Sequence, residues 1–333
     1  MTERKADYLV CGARSDNCGL GSMAEDFCRN MPADAILINP ERKRPLFPDR
    51  FSNVRATFGW DDPHKLADLI PLFEGYKAVV FFETFVNAVF IQAARDARAL
   101  AVGFPMWECS PAGFQHLDLV IALSDCEEEN YPDAIAMRWP IDIEVFGNPP
   151  TPGTPPMRFI HNAGNLGIHY RNATKTILDA SWGLFGTGTG VKIKVRSLER
   201  MPQGWAADGK VVEYEPAPRD RQNLYSGADV LLALRRFGGD SLPIAEATAL
   251  GLPVIVSDIS SYSAYPMRVP CREAGEFESP AGFKVQLYDP DGAELAEMIS
   301  AMARGNMPVE QTPDRLKPPT WDQFKRQFQK IVR

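Results

Sequence analysis

The sequence predicts an α/β protein of two doubly wound domains in series, and three observations carry that expectation. Strand and helix signals alternate through residues 8–124 and again through residues 158–303, the pattern of a mostly parallel sheet with helices on both faces. Proline and glycine crowd residues 147–156 between the two runs, as in a linker. At 333 residues the chain also exceeds the size that one hydrophobic core usually serves.

In the first run, "DYLVCG" reads as a strand, "GLGSMAEDFCRNM" as a helix entered through glycines, and "AILIN" as a strand. "DDPHKLADLIPLF" reads as a helix capped by Asp61 or Asp62, "KAVVFFE" as a strand, and "NAVFIQAARDARAL" as a helix. The strands "AVGFPM" and "LDLVIALS" follow, and "DCEEEN" is a solvated acidic helix start. The domain boundary is placed near residue 148, giving a first domain over 1–148 and a second over 149–315.

The second run opens with the strand "RFIHNAG", the amphipathic helix "NATKTILDASWGLF" and the strands "VKIKVRS" and "KVVEYEP". "RDRQNLYSGADVLLAL" reads as a helix followed by a strand. After "PVIVSD" and "FKVQLYD", both strands, comes the helix "DGAELAEMISAMAR". Residues 316–333 form a last segment, whose "TWDQFKRQFQKIVR" is a helix capped at Thr320 with Phe324, Phe328 and Ile331 on one face. It is expected to cross back to the first domain.

Composition excludes several classes. No apolar run approaches the ~18 residues of a membrane span, and "MTERKADYLV" lacks the apolar stretch of a signal peptide, so a cytoplasmic protein is expected. The six cysteines form no CxxC pair and the four histidines no HxH or HxxxH pair, so reduced thiols and no metal are expected. Residues 1–150 hold 14 Lys+Arg against 23 Asp+Glu, and residues 151–270 hold 13 against 10. An acidic first half argues against a broad nucleic-acid footprint. The second half suits a small anion.

The most informative stretch is "RRFGGDSLPIAEATALGLPVIVSD", residues 235–258. Gly238 and Gly239 let the backbone approach a ligand closely, Pro243 suits a first helical turn, and Gly251 ends the helix. A glycine loop running into a helix N-terminus aims N–H groups and the positive dipole end at one point, which favours a phosphate.

"GGDSLPIAEATALGLPV", preceded by "LYSGADVLLAL", resembles the acidic motif of the retaining, nucleotide-sugar-dependent glycosyltransferases of the two-domain GT-B fold, the glycogen-synthase-like or group 1 family. "FIHNAGNLGIHYRNATKTILDA", "WPIDIEVF" and "LYDPDGAELAEMI" support the likeness in the same order over residues 137–303. The resemblance implies two Rossmann-like domains facing each other across a cleft. It implies transfer of a sugar from a nucleoside-diphosphate sugar to an acceptor hydroxyl with retention, the donor phosphate taking the acceptor proton, and no metal or cofactor.

Carried over by position, Glu246 would hold the ribose hydroxyls, since a carboxylate accepts from both hydroxyls of a vicinal diol. Gly239, Asp240, Ser241 and Leu242 would face the donor sugar and diphosphate. Arg171, or Arg236, or both, would neutralise the leaving diphosphate, with Arg196 a third candidate cation and Gly164 in the first glycine turn of the second domain. In the first domain "DNCGLGSMAED" resembles the family's N-terminal glycine loop, which singles out Asn17, Gly19, Gly21 and Ser22. Glu83, Trp107 and Glu108, at strand ends, are expected to contact sugar or acceptor. The acceptor is a glycan, lipid or small molecule, or a hydroxymethylated DNA base as in some phages, against which the acidic first half counts.

Two departures stand out. Gly238 occupies the position, eight before Glu246, where the family has an acid, and Asn172 follows Arg171 where a second cation is common. They leave open a catalytically silent nucleotide-sugar binder. "GLGSMA" also fits the GxGxxA fingerprint of NAD(P)-dependent dehydrogenases, yet "CGARSDNC" separates it from the strand end and no clean acid follows about 20 residues on. Taken singly, Glu246 is a helix-surface carboxylate, the arginines solvated charges, and His161, His169 and Trp107 core or turn residues.

Overall fold

The computed structural model of the chain describes residues 6–13, 19–39, 47–59, 65–82, 88–106, 113, 116–147, 157–164, 171–198, 209–239, 241–279 and 282–333. The chain divides into two units. Unit 1 holds residues 1–140, 278–284 and 319–333, and unit 2 holds residues 141–277 and 285–318.

Unit 1 is built on a seven-stranded sheet. Its strands are β1 (Tyr8–Ala13), β2 (Ala33–Asn39), β3 (Val54–Gly59), β4 (Ala78–Phe82), β5 (Leu100–Phe104), β6 (Leu119–Ala122) and β7 (Ile135–Ala136). Their spatial order is β3-β2-β1-β4-β5-β6-β7, and all the pairings are parallel, with Tyr8 beside Ala33 on one side and Ala78 on the other. β1 and β4 are buried along their whole length, which is why they read as unbroken apolar runs rather than alternating ones. The helices are α1 (Gly19–Asn30), α2 (Leu66–Phe73), α3 (Ala88–Asp96) and α4 (Asp125–Asn130).

Unit 2 repeats the plan. Its strands are β8 (Arg158–Gly164), β9 (Lys192–Ser197), β10 (Val212–Pro216), β11 (Val230–Ala233), β12 (Val254–Ser257) and β13 (Arg268–Val269), all parallel, in the order β10-β9-β8-β11-β12-β13. A separate two-stranded ribbon joins β14 (Cys271–Glu278) to β15 (Lys284–Pro290). The helices are α5 (Thr174–Leu184), α6 (Leu242–Ala249) and α7 (Gly292–Ala303). Ile177, Leu178 and Leu184 of α5 share one core with Ile193, Leu232, Leu295 and Ile299.

The final helix, α8 (Trp321–Ile331), packs on unit 1. Thr320 accepts from the Gln323 N–H and Gln323 returns a bond to the Thr320 N–H, a reciprocal capping box. Phe328 meets Phe27 and Tyr8 edge-on, each at 5.4 Å between centroids, and stacks on Phe104 at 6.2 Å. Phe324 packs on Trp139 at 5.4 Å. Trp321 is buried on this face, whereas Ile331 is half-exposed.

Several local expectations are corrected. α2 starts at Leu66 with Lys65 as its N-cap, so neither Asp61 nor Asp62, which lie outside the described residues, caps it. α3 ends at Asp96 because Arg98 takes φ 61°, and the Ala99 N–H reaches back to the Ala94 carbonyl to close the last turn. Residues 219–228 hold only one turn of 3-10 helix, Arg221–Asn223. Asp220 caps it, and Gly227 at φ 71° then turns the chain into β11. β3 and β14, strands without a fully buried residue, were not anticipated. Residues 141–147 belong with unit 2, where the Gly147 N–H bonds the Gln222 carbonyl and Phe146 packs on Tyr225 at 5.6 Å.

Candidate functional site

In a doubly wound sheet, ligands bind beyond the carboxyl ends of the strands where the strand order reverses. In unit 2 that point lies between β8 and β11. The chain leaving β8 at Gly164 re-enters the described structure at Arg171, directly beside the chain leaving β11. The Arg236 N–H bonds the Arg171 carbonyl at 2.7 Å, the Ala173 N–H bonds the Leu234 carbonyl at 3.2 Å, and Asn172 bridges Arg235. The Asn172 side chain ties back to the Ala163 carbonyl at 2.7 Å. The two cations singled out from the sequence therefore sit on strands of backbone hydrogen-bonded to each other.

Their side chains are oriented differently. The Arg171 guanidinium lies 5.6 Å from the ring centroid of Phe237, a cation–π arrangement. Arg236 instead faces Asp289, whose Oδ1 is 2.9 Å from Nε and 2.8 Å from Nη2. A third arginine, which the motif shows but its reading passed over, is Arg235. Its Nη2 donates to Ser241 Oγ at 2.8 Å, while its own N–H and carbonyl are both held by Ser257 Oγ, at 2.7 and 2.6 Å.

Ser241 is the N-cap of α6, yet its side chain makes no bond to the helix N–H groups. The start of α6 thus carries the Arg235 guanidinium at its cap, with the positive end of the helix dipole behind it. Gly239 precedes it at φ 101°, a conformation closed to side-chain-bearing residues, and the Tyr262 hydroxyl holds its carbonyl at 3.2 Å. Leu242 and Pro243 open the helix as anticipated. Asp240 lies outside the described residues.

Glu246, one turn further, is 2% exposed. It accepts from Arg221 Nη2 at 2.9 Å and from the Tyr225 hydroxyl at 2.5 Å. Burial first, and the Glu246 charge second, push the Tyr225 hydroxyl well above its ordinary pKa, so it remains a donor. The Arg221 guanidinium also covers the Phe146 ring at 4.9 Å. Neither Arg221 nor Tyr225 was singled out from the sequence. The signal available was the carboxylate itself, since a buried charge needs a partner.

Arg196 is corrected. It is 6% exposed, donates to Glu215 Oε2 at 3.2 Å, to the Asn223 carbonyl at 2.5 Å and to the Leu224 carbonyl, and so fastens the Arg221–Asn223 turn to β9 rather than reaching for a ligand. Glu215, held by Lys194 and then by Arg196, has its pKa lowered. Gly164 adopts φ 57°, and its carbonyl accepts from the Leu198 N–H at 3.0 Å.

His161 is a core residue. A carbonyl can only accept, so Nδ1 donates to the Leu232 carbonyl at 2.8 Å and Nε2 accepts from Thr174 Oγ1 at 2.8 Å. Burial lowers its pKa to about 4, so it stays neutral and ties β8 to β11 and to the start of α5.

In unit 1 the order reverses between β1 and β4. Gly19 is exposed at the start of α1, Gly21 is buried and Ser22 half-buried. Asn17, Glu83, Trp107, Glu108 and His169 lie outside the described residues. α1 also carries two buried acids: Glu25 pairs with Arg29 and, at 3.7 Å, with Arg50, and Asp26 with Arg29 at 3.3 Å. Among the described residues no group of three or more His, Cys, Asp or Glu is arranged to hold a metal ion. No described helix is long and apolar enough to cross a membrane.

No family model and no curated protein matches the chain in sequence. Its structure is similar to Anabaena HepE in complex with UDP-glucose, with a TM-score of 0.67 and 13% identity over 98% of both chains. It is similar to a sucrose-phosphate synthase from Thermosynechococcus elongatus, with a TM-score of 0.60 and 12% identity over 97% of both. It is also similar to the lipopolysaccharide outer core galactosyltransferase WaaB, with a TM-score of 0.59 and 12% identity over 97% of this chain and 99% of the other. The chain has the two-domain α/β fold of these proteins, GT-B.

Proposed function

We propose that the chain is a glycosyltransferase that moves a sugar from a nucleoside-diphosphate sugar to an acceptor hydroxyl, with retention at the anomeric carbon. One observation carries the reading: a buried, partnered Glu246 stands behind the N-terminus of α6, at a strand-order reversal where Arg171 and Arg236 lie on hydrogen-bonded backbone. Fold likeness at 12–13% identity does not by itself fix an activity; the arrangement of these side chains supports it. The solved HepE complex with UDP-glucose makes a UDP-sugar the first donor to test.

In this reading Glu246 accepts from the ribose diol, and the start of α6, with Arg235 at its cap, faces the diphosphate. Arg171 and Arg236 stabilise the charge that builds on the diphosphate as the bond from its oxygen to the anomeric carbon breaks. The acceptor oxygen bonds to that carbon, and its proton passes to a phosphate oxygen of the departing donor. The chain's contribution is positioning and charge stabilisation. The acceptor is a glycan, lipid, small molecule or modified DNA base.

Thermal unfolding with UDP, GDP, ADP, CMP, NAD and NADP, followed by donor hydrolysis, tests this. Ligand at 100 times its dissociation constant adds about 2.7 kcal/mol, a shift of several degrees. A selective shift with one nucleoside diphosphate, and slow hydrolysis of its sugar ester, is expected. A shift with NAD or NADP alone overturns the reading in favour of a dehydrogenase. A second reading, a silent binder, draws on Gly238 at the acid position and on the neutralised Arg236. It predicts the shift without hydrolysis or transfer.

A further inference from the structure

We infer that Arg221 and Tyr225 are positioning residues that make the site select a ribose carrying both its hydroxyls. The inference rests on the reading above, in which Glu246 is the ribose ligand, and adds what sets that carboxylate's aim.

The terminal torsion of a glutamate is broad and weakly held, so an isolated carboxylate presents its oxygens over a range of angles. Here each oxygen has its own donor: Arg221 Nη2 on Oε1 at 2.9 Å and the Tyr225 hydroxyl on Oε2 at 2.5 Å. One donor on each oxygen fixes the plane of the group. The guanidinium and the hydroxyl thus each hold one oxygen of the buried group from a fixed side. A carboxylate can accept about four hydrogen bonds, so Arg221 and Tyr225 do not by themselves exhaust it.

The two donors are themselves anchored. Arg221 lies in the short turn capped by Asp220, whose end is fastened by Arg196 through the Asn223 and Leu224 carbonyls. Its guanidinium covers Phe146, and the same ring packs on Tyr225. The Tyr225 hydroxyl lies 3.2 Å from the Pro243 carbonyl in the first turn of α6. Both residues are thus tied to the helix that carries Glu246 and to the turn beside it, an arrangement that an ordinary ion pair on a helix surface lacks.

The experiment measures affinities of UDP, ADP and GDP and of their 2′,3′-dideoxy counterparts for the intact protein and for Tyr225→Phe, Arg221→Gln and Arg221→Lys, by calorimetry. For the nucleotide that binds the wild type tightest, the diol is expected to be worth about tenfold or more, as hydrogen bonds to a charged group imply. In Tyr225→Phe and Arg221→Gln that preference should shrink to within about twofold of unity, while Arg221→Lys, which keeps a cation, retains part of it. The ratio cancels a general loss of fold, which weakens both members of a pair equally. Full preference in Tyr225→Phe and Arg221→Gln, or equal weakening for the ribose and dideoxy forms, overturns the inference and leaves the proposed function standing. A wild type that binds no nucleoside diphosphate, or does not distinguish the pairs, overturns Glu246 as ribose ligand and this inference with it.

Discussion

Asp289 places one carboxylate oxygen within hydrogen-bond distance of two nitrogens of Arg236. The cation that the motif offers to a diphosphate is therefore already balanced by an acid 53 residues further along the chain. Binding an anion there means competing with, or adding to, that pair. Both side chains are partly exposed, so the pair itself contributes little to stability.

Arg236→Ala is expected to lower turnover at saturating donor by roughly 10²-fold, as loss of an electrostatic stabiliser does elsewhere. Asp289→Asn removes the competing charge and retains an acceptor for Nε, so a nucleoside diphosphate should bind it more tightly than the wild type in calorimetry. Weaker binding would mean that Asp289 holds the guanidinium in place for its ligand.

Glu246→Ala removes the proposed ribose acceptor and leaves the Arg221 guanidinium, 11% exposed over the Phe146 ring, without that carboxylate. Nucleotide affinity should fall at least about tenfold. Stability should fall by about 3 kcal/mol or more, since breaking one side of a buried ion pair strands the other charge. Urea unfolding and calorimetry on the same preparation separate the two effects, and unchanged nucleotide affinity would remove Glu246 from the site.

His161 gives the fold an acid limit. Its folded pKa of about 4 lies below the ordinary 6.5, so between those values the unfolded chain binds a proton that the folded chain does not. Stability is therefore fully present above the ordinary value and falls as pH drops through the window from about 6.5 to about 4, by about 3 kcal/mol at most. Urea midpoints at pH 7 and pH 5 should differ more for the wild type than for His161→Gln.

Arg98 is the one side-chain-bearing residue at positive φ among the described residues, and it is exposed where α3 turns into β5. A left-handed residue with a Cβ is strained by about 1 kcal/mol or more, which glycine avoids. Arg98→Gly should raise the thermal midpoint, despite the added freedom of the unfolded chain. A lowered midpoint would show that the arginine side chain is needed there.

Both sheets were legible in the sequence because their central strands are covered on both faces. "YLV", "AVVFF", "VLLA" and "VIVS" are apolar runs that leave little else for the chain to be. β3 and β14 escaped because "VRATFG" and "CREAGEFE" are edge or ribbon strands with no fully buried residue, so hydrophobic patterning says little about them. The motif around Glu246 was legible as a glycine loop and a helix start. Its partners were not, because Arg221 and Tyr225 reach it from 25 and 21 residues away through a single turn that carries no helical periodicity. Arg196 was misread for the opposite reason. Its place at the end of "KIKVRS" made it a third candidate cation, and the carbonyls that draw it inward come from a separate segment.

The aromatic seal that α8 sets on Phe27, Phe104 and Trp139 has a consequence for synthesis. A ribosome that has released residues 1–140 has delivered every strand of the first sheet, yet the rings that cover this face of it arrive only with residues 321–331. The intervening segment carries all the strands of the second sheet. On a nascent chain the later unit can therefore close first, while the earlier one waits with an apolar face exposed to water and to chaperones.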